Sequence, residues 1–200
     1  MEFLKYAFII VGGYLLGSVS FSIIFSRLKG RDVREQGSGN AGATNMARSF
    51  GLGAGFLTLA GDFLKAAVVM TLGFVLAGDR GLMAGGMACI TGHCFPVFYR
   101  FRGGKGISVG AAIGLAIDWR VFLGIVIVFL IAAFLSKKVS LGSICAAVAI
   151  VALSILFSVP LPRLLLAIYA ASLAVFQHRA NIRRLVEGTE PDFKAAKEKQ

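Results

Sequence analysis

The chain has 200 residues, 57% of them hydrophobic, and its mean hydropathy is +0.80. That excludes an ordinary soluble domain and predicts one all-α, polytopic membrane domain over residues 1–190. The net charge of +11 would suit a nucleic-acid partner. No soluble basic domain exists to carry one, so cationic cytoplasmic loops are the better reading.

From Tyr6 to Ser26 the chain carries no charge, which is enough for a bilayer core that takes roughly 20 residues. The segment 3–26 is therefore the first predicted span. Ser18-Val19-Ser20 looks like a signal-peptide cleavage site, but the preceding charge is weak and the apolar run too long, so the span is expected to stay. A polar stretch, 27–49, follows. At its centre is Gly37-Ser38-Gly39-Asn40-Ala41-Gly42-Ala43-Thr44-Asn45, with Arg27, Lys29, Arg31 and Arg34 before it and Arg48 after. Glycines let a backbone curl closely round an anion, and Ser38, Asn40, Thr44 and Asn45 add neutral donors. The alternative is a plain polar linker. Gly37, Gly39 and Gly42 also spell a formal GxGxxG, but the dinucleotide fingerprint needs a preceding strand, which this stretch lacks.

The second span, 52–77, holds Asp62 and Lys65 at i and i+3, able to pair on one helix face. A structural pair supporting the site is the expected role, and a catalytic carboxylate the alternative. Segments 82–98 and 106–118 are short for a crossing. With 120–135, 140–159 and 163–178 they give seven apolar segments, or five full spans if the short two penetrate only halfway. Between the short segments lies Gly92-His93-Cys94-Phe95-Pro96, then Arg100, Arg102, Gly103, Gly104 and Lys105. Tyr99 and Gly106 occupy positions a P-loop fills differently, so this is no Walker motif. Three cations round a double glycine still suit an anion, with headgroup anchoring as the alternative. Gly81 and Gly85, and Gly106, Gly110 and Gly114, have the four-residue spacing of close helix packing.

After the last segment comes a basic stretch in which helical spacing aligns His178 with Asn181. An interfacial amphipathic helix explains that stretch equally well. Glu187 and Glu190 flank a turn-like Gly188, and 191–200 reads as a solvated tail. With the N-terminus outside, seven spans put sixteen Lys and Arg inside against four outside, so the three polar stretches share the cytoplasmic face. Cys89, Cys94 and Cys145 form no CxxC pair and read as packing residues. No metal-ligand cluster, His-x-x-x-x-Asp, GxSxG elbow or His–carboxylate dyad stands in the motifs.

These three motifs, in this order, resemble the bacterial acyl-phosphate:glycerol-3-phosphate acyltransferases over nearly the whole chain. The resemblance implies an integral enzyme of the bacterial cytoplasmic membrane that acylates the sn-1 hydroxyl of glycerol 3-phosphate from acyl phosphate. The products are lysophosphatidic acid and inorganic phosphate, the first acylation of phospholipid synthesis. No cofactor, metal or obligate protein partner is expected beyond the two substrates and the bilayer. Ser38, Arg48, Lys105 and His178 are the expected catalytic residues. Gly37, Gly39, Asn40, Gly42, Thr44, Asn45, His93, Gly103, Gly104, Asn181 and Glu190 are expected to bind substrate. The proton acceptor is either a histidine or, preferably, the donor phosphate. A small organic-phosphate transporter is the rival reading.

Overall fold

In lipid a backbone must satisfy its own polar groups, so apolar runs fold as helices. The computed structural model describes residues 1–194, and these contain helices and turns and no strand. The helices are α1 (Glu2–Gly17), α2 (Phe21–Leu28), α3 (Ala43–Phe50), α4 (Leu52–Cys94), α5 (Ile107–Ile117), α6 (Trp119–Ser136), α7 (Val139–Leu156), α8 (Leu161–Gln177) and α9 (Arg179–Val186). Four helical stretches among the described residues, Glu2–Leu28, Leu52–Tyr99, Trp119–Ser136 and Val139–Leu156, are long and apolar enough to cross a membrane. The pair α8 and α9, bent by 59°, makes a fifth. Their outer faces carry large apolar side chains such as Phe134, 84% exposed, a surface that lipid accepts and water would not.

α4 folds back on itself at Ala77 (φ −148°) and Gly78 (φ 58°). The positive φ at Gly78 is one a residue with a Cβ adopts only under strain. Its two arms then run antiparallel, with Gly73 against Gly81 and Val69 against Gly85. A Cβ at Gly81 would strike the Gly73 backbone, so the predicted glycine spacing serves close packing here. The main core gathers round this hairpin, with Ile90, Val109, Ile113 and Leu166 fully buried.

The connections collect at two opposite ends. At one, the Arg163 Nε donates to Asp79 at 2.7 Å, its Nη1 donates to the Ile117 carbonyl at 2.8 Å, and Arg120 stacks on Phe157. At the other, Arg34 donates to the Tyr99 carbonyl at 3.1 Å, and Lys138 holds the Glu190 carbonyl and the Asp192 carboxylate. A second small core of Ile23, Val33, Ala41, Met46 and Ala54 sits under the loops at this polar end.

Three expectations need correction. Segment 3–26 is not one helix: it breaks at Ser18–Ser20, between α1 and α2. Gly17 packs on the Cys89 backbone there, and the Ser18 hydroxyl accepts from Val97 N–H. Stretch 27–49 is not merely loop. It contains a 3-10 turn at Val33–Glu35 and helix α3, which begins inside the glycine-rich motif. Segment 82–98 is helical only to Cys94, and residues 79–81, expected in a loop, are helical. Residues 195–200 of the expected tail lie outside the described residues, and Lys197 and Lys199 of the charge count with them.

Candidate active site

The polar end encloses a cavity of about 810 Å³. Its first wall is the glycine-rich loop. Gly37 (φ 54°) and Gly39 (φ 71°) bend it, and Asn45 locks it from within. The Asn45 amide donates to the carbonyls of Val33, Gln36 and Asn40 and accepts from Ser38 N–H. It is 1% exposed, so its side chain fastens the loop rather than reaching a ligand. The Ser38 and Gly39 amides are likewise spent inside the loop, on Asn45 and Gln36. What remains for an anion is the Ser38 hydroxyl and the first turn of α3, whose amides have no intrahelical acceptor. Thr44 and Arg48 stand on α3 and line the cavity beside Ser38, Asn40 and Gly42.

The second wall comes from the glycine pair. Gly104 N–H donates to the His93 carbonyl at 3.1 Å. A Cβ at Gly103 would strike that carbonyl, and one at Gly104 would strike the His93 ring. Neither glycine lines the cavity. Their absent side chains let the loop fold back onto the end of α4 and deliver Lys105.

Lys105 Nζ donates to Asn181 Oδ1 at 2.5 Å. Asn181 in turn donates to Glu190 at 2.7 Å, and Arg184 Nε donates to the other oxygen of Glu190 at 2.7 Å. This relay ties the second motif to the third and uses Glu190 as its anchor. Burial opposes ionisation of Glu190, but Ser140, Asn181 and Arg184 outweigh it and hold the carboxyl below its usual range. Burial, with repulsion from Arg184, brings the Lys105 ammonium down to about 8. Arg48 and Lys105 face the cavity, and neither has an acidic partner among the described residues. His178 sits at the 59° bend between α8 and α9, 3% exposed. Its Nδ1 lies 2.8 Å from the Ala174 carbonyl. A carbonyl only accepts, so the proton is on Nδ1 and Nε2 keeps its lone pair.

His93 lines the cavity too. The α4 hairpin brings Asp62 Oδ1 to 3.6 Å from His93 Nδ1, near enough for charge to act but not for a hydrogen bond. Sequence reasoning missed Ser108, Ser140 and Ser143, which add hydroxyls to the wall. Ser140 and Ser143 are three apart on α7, and that polar pair in an apolar run was the available signal.

A second cavity, of about 350 Å³, adjoins the first. Leu59, Ile107, Ser108, Phe129 and Ser143 line both. Beyond them the second is lined by Phe63, Phe122, Ile125 and Ala147, with almost no polar surface. The two together suit a ligand with an anionic head and an apolar tail.

The chain is similar to known proteins over nearly all its length. The family model for glycerol-3-phosphate acyltransferase matches residues 7–188. The glycerol-3-phosphate acyltransferase of Trichlorobacter lovleyi is 42% identical over 190 residues, covering 94% of this chain and 97% of its own. That of Bacillus subtilis is 37% identical over 190 residues, with 94% and 97% covered. A crystal structure of PlsY (YgiH), an integral membrane glycerol 3-phosphate acyltransferase, in its glycerol 3-phosphate form, matches with a TM-score of 0.91 at 35% identity. The match covers 94% of this chain and 96% of that one. The lysophosphatidic acid form of PlsY matches with a TM-score of 0.89 at 34% identity, over 94% and 95% of the two chains.

Proposed function

The chain belongs to the glycerol-3-phosphate acyltransferase family, and from that premise we propose that its two joined cavities move a fatty acyl group from acyl phosphate to glycerol 3-phosphate. The observation that carries this is a pair of cations, Arg48 and Lys105, without acidic partners among the described residues, in a cavity that shares a wall with an apolar one. The acyl tail lies between Phe63 and Ile125. The phosphate lies against Ser38, the first turn of α3, Arg48 and Lys105. Glycerol 3-phosphate enters beside His178 and Ser143.

The primary hydroxyl oxygen attacks the acyl carbon, the carbon–oxygen bond to phosphate breaks, and inorganic phosphate leaves. Acyl phosphate is a mixed anhydride with a good leaving group. Orientation and charge stabilisation therefore supply most of the catalysis. The departing phosphate takes the hydroxyl proton. His178 accepts a hydrogen bond from the acceptor through Nε2, and Arg48 and Lys105 neutralise the charge that develops on phosphate. No metal or cofactor takes part in this scheme.

We place seven crossings in the bacterial cytoplasmic membrane, N-terminus outside and cavity on the cytoplasmic side. Supporting this are the alternating connections at two ends, the two antiparallel arms of α4 and the positive-inside bias. α5 has 11 residues, roughly 16 Å of helix against a hydrocarbon core of about 30 Å. A transporter needs a site open alternately to both faces. One-sided polar machinery and a family of acyltransferases speak against it.

Purified protein in detergent or lipidic mesophase tests the reading. Phosphate release from acyl phosphate should depend on glycerol 3-phosphate and yield lysophosphatidic acid. Release indifferent to the acceptor, or none at all, would sink the proposal.

A further inference from the structure

Asp62, Lys65 and His93 form a charged cluster that the reaction scheme leaves unused. All three are buried, at 0%, 8% and 4% exposure. Taking an ion pair out of water is costly before its attraction repays any of it, and apolar side chains would fill the same space. Membrane helices keep such charges where they pair or serve a site.

The Lys65 ammonium makes hydrogen bonds to Val19 and His93 and an ion pair with Asp62, whose two carboxylate oxygens are buried without a hydrogen-bond partner among the described residues. The ammonium has three donors and no acceptor. Lys65 Nζ lies 2.7 Å from Asp62 Oδ1, 2.5 Å from the Val19 carbonyl and 3.3 Å from His93 Nδ1. The Val19 carbonyl is available because α1 breaks at that point. Asp62 Oδ1 stands 3.6 Å from His93 Nδ1, too far for a hydrogen bond. An ammonium can only donate, so its contact with His93 uses the Nδ1 lone pair, and the imidazole proton belongs on Nε2. That edge of the ring lies against Gly104 and borders the polar cavity.

We infer that Asp62 and Lys65 are a positioning pair that fixes His93 as the Nε2–H tautomer, making it a hydrogen-bond donor to an oxygen of the acyl phosphate and removing it as a proton acceptor. The inference rests on the function proposed above. His178 holds the opposite tautomer, through Ala174. The chain's two imidazoles thus divide the work: His93 donates to the acyl donor, and His178 accepts from the acyl acceptor.

With only two histidines, the test is direct. Histidine labelled with nitrogen-15 is incorporated, and ring spectra are recorded on the substrate-free protein at neutral pH. His178→Gln assigns the remaining ring. The expected result is a proton on Nε2 and a bare Nδ1 for His93, with the reverse for His178. A proton on His93 Nδ1, or on both its nitrogens, would overturn the inference. The double variant Asp62→Asn/Lys65→Met removes the donor without stranding a charge. It should mix the His93 tautomers and raise the KM for acyl phosphate by roughly tenfold or more, the worth of one hydrogen bond to a charged group. The KM for glycerol 3-phosphate should hold. A double variant that merely lowers Tm, with the tautomer and both KM values unchanged, would mean the cluster is only structural. The spectra need no substrate, so this inference and the activity can each fail without the other.

Discussion

Lys105 is the residue on which charge, burial and position converge. Its ammonium is the charged form below about 8, so phosphate binding is strongest on the acid side of that value. kcat/KM for acyl phosphate should fall as pH rises through about 8, since that ratio reports groups of the free enzyme. Lys105→Arg stays charged and should flatten that alkaline limb, whereas Lys105→Met should lose roughly 100-fold or more in kcat/KM across the range. A pH–rate series on the three proteins checks both. His178→Ala separates orientation from proton abstraction. With phosphate as the acceptor of the proton, the KM for glycerol 3-phosphate rises more than kcat falls. Loss of nearly all turnover at saturating substrate would make His178 the base. Asn45→Ala should act on stability instead. It leaves three carbonyls and an amide of the loop, most of them partly buried, without their partner, at about 1–3 kcal/mol, which thermal unfolding reads as a lower Tm.

Helices and their breaks set the depth and aim of these groups. The hairpin in α4 carries Asp62 to His93, and it depends on backbone contact between Gly73 and Gly81. Gly81→Leu should force the arms apart and cost roughly 1–3 kcal/mol, seen as reduced Tm and, because His93 moves, weaker acyl phosphate binding. The apolar segments, the close packing at Gly81 and Gly85 and the Gly37–Asn45 loop were legible in the sequence because each signal is local, whereas Gly110, with the same spacing, has no neighbour within 4 Å. What escaped was non-local. The break at Ser18–Ser20 is stabilised by Cys89, Val97 and Lys65, none of them near it in the chain. The turn at Gly78 falls where segments 52–77 and 82–98 were expected to be joined, but which residues it brings together, Asp62 and His93, is set by how the two arms pack. Gly103 and Gly104 read as anion ligands; what the fold shows of them is close packing against His93. Glu190 and Asn45 read as ligands and turn out to be occupied by the protein's own groups.

Across the whole molecule, three sequence-distant polar stretches meet at one end, while the opposite end carries, among the described residues, short turns clamped by Arg163 and Arg120. The charge pattern alone predicted that convergence, because the side of each loop follows from counting cations. The cavity's partition into a polar half and an apolar half required the folded chain. The central claim is one-sided acyl transfer, and sealed proteoliposomes of known orientation test it most directly. Acyl phosphate is supplied in the bilayer, glycerol 3-phosphate on one side only, and lysophosphatidic acid and phosphate are both counted. The account predicts the two products in equal amounts, formed only when glycerol 3-phosphate is on the side bearing Gly37–Asn45. Products formed from the opposite side, or glycerol 3-phosphate accumulating across the membrane without acylation, would contradict it.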